Sequence, residues 1–113
     1  MEKILLDTNF LVYLIKEKKF RLFEDFLDQN FGNYEIYILE GSLGEIGNIN
    51  KRYLKAVKLL IRSNKIKVIK EKGKVDELII KYKDNFIIAT QDEKILKEVK
   101  RKIIKTKKYF KLF

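Results

Sequence analysis

Ile4-Leu5-Leu6 is an uninterrupted apolar run, and Asp7, Thr8 and Asn9 follow it directly. A strand with no polar alternation has no wet face, so it belongs in a parallel sheet covered by helices on both sides. Thr8 and Asn9 are good helix starters, and Phe10, Leu11, Leu14 and Ile15 recur behind them at helical spacing. In an open α/β sheet the carboxyl ends of the strands line the crevice where ligands sit. Asp7 is therefore expected at that crevice. There it either caps the helix after it or binds a hard cation or handles a proton.

The rest of the chain repeats the strand–helix rhythm. Phe20, Phe23, Phe26, Leu27 and Phe31 form a second helical stripe, stopped by Gly32-Asn33. Tyr34 to Leu39 is rich in β-formers and reads as strand two. Glu40-Gly41-Ser42 reads as a loop, and Ser42-Leu43-Gly44-Glu45 as a helix opening of the Ser-x-x-Glu type. Gly44 and Gly47 weaken that helix, and Asn48 to Asn50 break it. A basic helix follows from about Lys51 to Ser63, with Leu54, Val57, Leu60 and Ile61 inward. Ile66, Val68 and Ile69 make strand three, and Gly73 a turn. Val75, Leu78, Ile79 and Tyr82 form the next stripe. Phe86-Ile87-Ile88-Ala89 is a second fully apolar run, and Thr90-Gln91-Asp92-Glu93 opens a helix carrying Ile95, Leu96 and Val99. Ile103-Ile104 and Tyr109-Phe110 give one last short strand or two extended pieces. The expected architecture is α/β: one domain over residues 1–113, a three-layer α/β/α sandwich around a mainly parallel sheet of four or five strands.

Composition narrows the chemistry. The chain has no cysteine, so no disulfide, thiolate metal site or cysteine nucleophile, and no histidine, the commonest general base. A metal here must be held by carboxylates, which points to magnesium or manganese. Lys and Arg outnumber Asp and Glu 26 to 16, a formal charge of +10. That balance suits a polyanionic partner, nucleic acid before an anionic membrane. No apolar run approaches a membrane span, and nothing resembles a signal peptide, so the expected location is the cytoplasm.

Four acids fall just beyond strands: Asp7, Glu45, Asp76 and Asp92. Singly, each is explained by capping or by the helix dipole, with Lys72 or Lys74 as a ready partner for Asp76. Together they would share one sheet edge, where clustered carboxylates raise one another's pKa unless a cation neutralises them. At these residues the chain resembles the PIN-domain ribonucleases. Leu5-Leu6-Asp7-Thr8-Asn9-Phe10-Leu11 matches the first motif of that family. Tyr37 to Ile46, with Glu45, resembles the second, Val75-Asp76-Glu77-Leu78-Ile79 the third, and Ile87-Ile88-Ala89-Thr90-Gln91-Asp92 the last. The resemblance implies an endoribonuclease that cuts single-stranded RNA with Mg²⁺ or Mn²⁺. It makes Asp7, Glu45, Asp76 and Asp92 the metal-binding and catalytic acids, converging on one or two ions. Thr8, Asn9 and Thr90 become the hydrogen-bonding residues behind them. Val75 is a departure, because ribosomal-RNA-processing relatives often have two adjacent acids there.

Two basic stretches carry the expected RNA contacts, Lys51 and Arg52 in one, and Lys105, Lys107 and Lys108 in the other. In the second, Tyr109 and Phe110 would stack on unpaired bases. The partners to expect are single-stranded RNA, an antitoxin or a ribosome-assembly factor, and a second copy of the chain as a homodimer, with no membrane. Two other readings compete. One is a non-catalytic RNA-binding module of the same fold, which the Val75 departure favours. The other is an aspartyl-phosphate phosphatase-like enzyme using Asp7 as nucleophile, which would want an acid where Asn9 stands.

Overall fold

The computed structural model describes every residue from Met1 to Phe113. Its elements run β1 (Glu2–Leu6), α1 (Thr8–Lys16), α2 (Phe20–Asn30), β2 (Tyr34–Leu39), α3 (Glu40–Ile49), α4 (Lys51–Arg62), β3 (Lys67–Ile69), α5 (Val75–Lys81), β4 (Ile87–Ala89), α6 (Glu93–Leu96), β5 (Lys102–Lys105) and β6 (Phe110–Leu112). The six strands form one sheet in the order β3-β2-β1-β4-β5-β6. All pairings are parallel except β5 with β6. The most apolar strands, β1 and β4, lie side by side at the centre, as two-sided burial requires.

Strand pleating sorts the core. Ile4, Leu6, Ile36, Ile38, Ile87 and Ala89 face one way and pack with Phe10, Leu11, Leu14, Phe23, Leu27, Ile46 and Val57 from α1 to α4. Leu5, Leu39 and Ile88 face the other way, against Val75, Leu78 and Ile79 of α5 and Ile95 of α6. No helix is long and apolar enough to cross a membrane.

Several expectations need correction. The sheet has six strands rather than four or five, because the tail folds back as an antiparallel pair, Ile103 opposite Leu112 and Lys105 opposite Phe110. Residues 40–42 are not a loop. Helix α3 begins at Glu40, straight out of β2, with Leu39 at its N-cap and no side-chain cap. Ser42 is thus inside the helix and fully buried. The Asn48–Asn50 break shrinks to Asn50, which ends α3 and whose side chain accepts from Arg52 N–H to start α4. Thr90 does not open α6 either. Asp92 caps it, its Oδ1 accepting from Lys94 N–H at 2.9 Å.

The terminal aromatics also do another job. Phe110 is buried, 6% exposed, with ring centroids 5.1 Å from Phe23, 5.5 Å from Phe26 and 6.0 Å from Phe10. Tyr109 lies edge-on to Phe26 at 5.4 Å, and its hydroxyl donates to Gln29 Oε1. These rings fasten the C-terminal hairpin to α1 and α2, so neither offers a free face to a base. Phe110→Ala should cost about 3–5 kcal/mol of unfolding free energy in urea titration, as expected for a ring deleted from a packed core. A loss below about 1 kcal/mol would show that the hairpin is not part of the core.

Candidate active site

The sheet order reverses beside β1: β2 and β3 extend to one side, β4, β5 and β6 to the other. A ligand crevice is expected beyond the carboxyl ends at such a switch point. Asp7 and Thr90 stand there, each one residue past the end of its strand. The backbone pairing carries on through them, Asp7 N–H donating to Ala89 O at 2.9 Å and Thr90 N–H to Ile103 O at 3.2 Å.

Asp7 is 8% exposed and held at both oxygens. Thr8 N–H donates to Oδ1 at 2.8 Å, and the Thr90 hydroxyl, itself fully buried, donates to Oδ2 at 2.8 Å. Thr90 Oγ1 in turn accepts from Asp92 N–H at 3.0 Å, so one hydroxyl positions both acids. The Thr8 hydroxyl is hydrogen-bonded to Ser42 Oγ at 2.8 Å and donates to Glu45 Oε1. Thr8 has one hydroxyl proton and the carboxylate can only accept. That proton therefore belongs to Glu45, and Ser42 supplies the second hydrogen.

Asp7, Thr8, Asn9, Glu45, Asn48, Ile49, Lys74, Val75, Asp76 and Asp92 line one open cleft of about 590 Å³. All four expected acids are in that lining, as are Thr8 and Asn9. Thr90 lies beneath it, behind Asp7. Asp76 reaches the cleft because the start of α5 sits against the first turn of α3. A Cβ on Gly41 would lie 3.1 Å from Val75 Cγ2, and Gly73 turns the chain into α5 with φ +140, a conformation that favours glycine. Asp76 Oδ1 accepts from Glu77 N–H and makes no ion pair with Lys72 or Lys74. Glu45, Asp76 and Asp92 are exposed on the cleft wall. No three of the chain's acids come close enough to hold one ion among them directly. The side-chain donors facing the cleft are carboxylate, hydroxyl and amide oxygens, which suit a hard cation. An ion there would take one or two carboxylates directly and reach the others through water.

Ser42, Asn48 and Lys74 were not among the residues expected at the site. Ser42 was hidden by its resemblance to an N-cap. Counted from the true start at Glu40, Ser42, Glu45 and Ile49 recur at helical spacing, Ser42 and Glu45 meeting Thr8 and Glu45 and Ile49 lining the cleft. Among the expected RNA contacts, Lys51 and Arg52 are exposed at the start of α4, just past Ile49. Lys107 and Lys108 are exposed on the β5–β6 turn, and Lys105 is half-buried. A larger cleft of about 660 Å³ lies at the opposite, amino edge of the sheet, lined by Tyr34, Glu35, Lys65 and Lys67 among others. It contains none of these acids.

Burial, chiefly, pushes the Asp7 carboxyl above the ordinary carboxylate range; the bonds from Thr90 and Thr8 pull it down, and the charges of Asp92 and Glu45 push it up again. The architecture itself is the PIN-domain fold. Comparison with solved structures finds the PIN domain endonuclease Utp24, which aligns with a TM-score of 0.75 over 97% of this chain and 90% of that one, at 15% sequence identity. No family model matches the chain, and no curated protein matches it by sequence.

Because the folded state holds the Asp7 proton more tightly than the unfolded chain does, an ionised Asp7 costs stability at neutral pH without metal. That cost falls as the pH drops toward the unfolded value of about 3.9 and is gone well below it, where the group is protonated in both states. Asp7→Asn should therefore be more stable relative to the parent at pH 7 than at pH 4, measured by denaturant unfolding in chelator. A mutant-minus-parent difference that stays flat across this range would contradict the burial of the charge.

Proposed function

We propose that this chain is a metal-dependent endoribonuclease that cuts single-stranded RNA. The observation that carries this reading is the buried Asp7 carboxylate at the sheet's switch point, gripped by Thr8 and Thr90 and opening on a cleft that also holds Glu45, Asp76 and Asp92. Such a site on a PIN-domain fold suits phosphodiester hydrolysis. Magnesium or manganese, when bound, would act as a Lewis acid and lower the pKa of water. The chain's residues do the rest. Thr90 and the Thr8 N–H fix the rotamer of Asp7, so that its remaining lone pairs point into the cleft. Thr8 and Ser42 aim Glu45. Asp92 uses one oxygen as the cap of α6 and keeps the other free. The net charge of +10 attracts the strand that the acids alone would repel.

A non-catalytic RNA-binding module is the second reading. It is favoured by the absence of any three acids at metal-holding separation and by Val75, packed tightly over Gly41 where a further acid would extend the site. Whether the chain serves as a toxin with an antitoxin partner, in RNA processing with ribosome-assembly partners, or as a homodimer belongs to the same proposal. An antitoxin gene beside its own would favour the first.

Incubating a labelled single-stranded RNA with protein and Mn²⁺ or Mg²⁺ separates the two. The parent should cleave internally, Asp7→Asn should not, and Thr90→Val should lose about 10–100-fold through a poorly oriented carboxylate. Metal binding without cleavage of any RNA would favour the second reading. In thermal or urea unfolding, magnesium at a hundredfold excess over its Kd should stabilise the parent by roughly 2.7 kcal/mol and Asp7→Asn far less. Equal stabilisation of both would place the ion elsewhere.

A further inference from the structure

Tyr13, on the partly exposed flank of α1, is flanked by two lysine ammoniums from distant parts of the chain. Lys105 Nζ, at the end of β5, lies 4.8 Å from the ring centroid. Lys19 Nζ, from the turn between α1 and α2, lies 5.5 Å from the same centroid and donates to the Tyr13 hydroxyl at 3.2 Å. Both backbones are anchored. Lys19 N–H donates to Leu14 O at 2.8 Å, after Lys18 turns through a left-handed φ of 54. Lys105 N–H donates to Gln91 Oε1 at 2.6 Å. Gln91 precedes Asp92 of the cleft, so Lys105 is tied to the residue next to the acidic lining.

Neither ammonium has a carboxylate partner. The molecule's ion pairs use Arg21, Lys65, Lys67, Lys81 and Arg101 instead. Two lysines drawn to one neutral side chain repel each other, and the ring contact of Lys105 and the hydroxyl hydrogen bond of Lys19 offset that only in part. An anion between them would remove the repulsion. Lys107 and Lys108, exposed on the adjacent β5–β6 turn, add to the same positive field. That turn is itself held, with Thr106 N–H donating to Tyr109 O and Tyr109 N–H to Thr106 Oγ1.

We infer that Lys19 and Lys105, set in place by Tyr13, form a clamp for the phosphodiester backbone of single-stranded RNA running from the acidic cleft across α1. The choice of RNA rests on the ribonuclease reading above; the clamp itself needs neither metal nor cleavage. Lys19 and Lys105 supply charge, and Tyr13 supplies position by holding two long side chains in one geometry before the strand arrives, which lowers the ordering cost of binding.

The test is the salt dependence of binding to a fluorescent single-stranded RNA in chelator, followed by anisotropy. For single strands the log–log slope changes by about 0.7 per phosphate neutralised. The double variant Lys19→Ala/Lys105→Ala should flatten the parent's slope by about 1.4. Tyr13→Leu removes no charge, yet it should flatten the slope in the same direction, whereas Tyr13→Phe, which keeps the ring beside Lys105 and loses the hydroxyl that holds Lys19, should flatten it about half as far. Lys83→Ala/Lys100→Ala removes equal charge at the amino edge of the sheet and should leave the slope unchanged. Melting curves confirm that each variant is folded, and the double variant, whose two lysines are half-buried and make no ion pair, keeps the test decisive if Tyr13→Leu is not. A parent slope retained by Lys19→Ala/Lys105→Ala, or flattened equally by Lys83→Ala/Lys100→Ala, overturns the clamp. A parent that binds with the expected slopes but never cleaves with manganese upholds the clamp and sinks the nuclease reading. Cleavage by the parent with unchanged slopes in the clamp variants does the reverse.

Discussion

From Ile4 to Leu6, strand β1 has no exposed side. Its Ile4, Leu5 and Leu6 are wholly buried, with helices on both faces and the parallel strands β2 and β4 on its two edges. The sheet must therefore wind outward from it in both directions, which creates the switch point at its carboxyl end. Asp7 follows Leu6 directly, so the same burial that stabilises the strand deprives its carboxylate of water. An ionised group there is tolerable only when hydrogen-bonded, and Thr8 N–H and the Thr90 hydroxyl meet that demand. No buried side-chain polar atom is left without a partner.

From this arrangement the polar layout of the site follows. Thr90 is 83 residues away in sequence, yet its hydroxyl links the Asp7 carboxylate to the backbone of Asp92, so two of the cleft acids are tied through one side chain. Thr8 does the equivalent on the other wall, joining α1 to Ser42 and Glu45 of α3. Asp76 is positioned differently, by the steric fit of Val75 over Gly41 rather than by hydrogen bonds to the other acids. The acid most weakly tied to the rest is thus the one beside Val75.

Charge is divided to the same end. The exposed ion pairs at the amino edge of the sheet, such as Arg101 with Glu2 and Lys67 with Glu35, are surface contacts of small energetic value. Their effect on the field is larger, because they consume acids far from the cleft. The lysines around Tyr13 and on the β5–β6 turn keep their charge uncompensated by any such pair. An acidic cleft beside a cationic flank keeps fields of both signs close together on the surface.

Much of this was legible in local pattern. The apolar runs Ile4–Leu6 and Phe86–Ala89 declared two central parallel strands, because period and burial depend only on neighbouring residues. The acid after each run was placed at the crevice by the same reasoning. Helix starts were less legible, since Ser42 and Thr90 carry hydroxyls in the spacing of a capping box and local sequence cannot tell a cap from a buried bridge. Only tertiary packing decided that Ser42 turns inward to Thr8 and Thr90 to Asp7, because their partners are 34 and 83 residues away. Packing also decided the fate of Tyr109 and Phe110. Amid lysines they look like a stacking surface, but Phe10, Phe23 and Phe26 leave an aromatic gap that Phe110 fills. Strand identity, then, was set by the sequence through local burial demand. The side on which each polar or aromatic group finds its partner was set by the fold, because those partners meet only once the sheet has closed around β1.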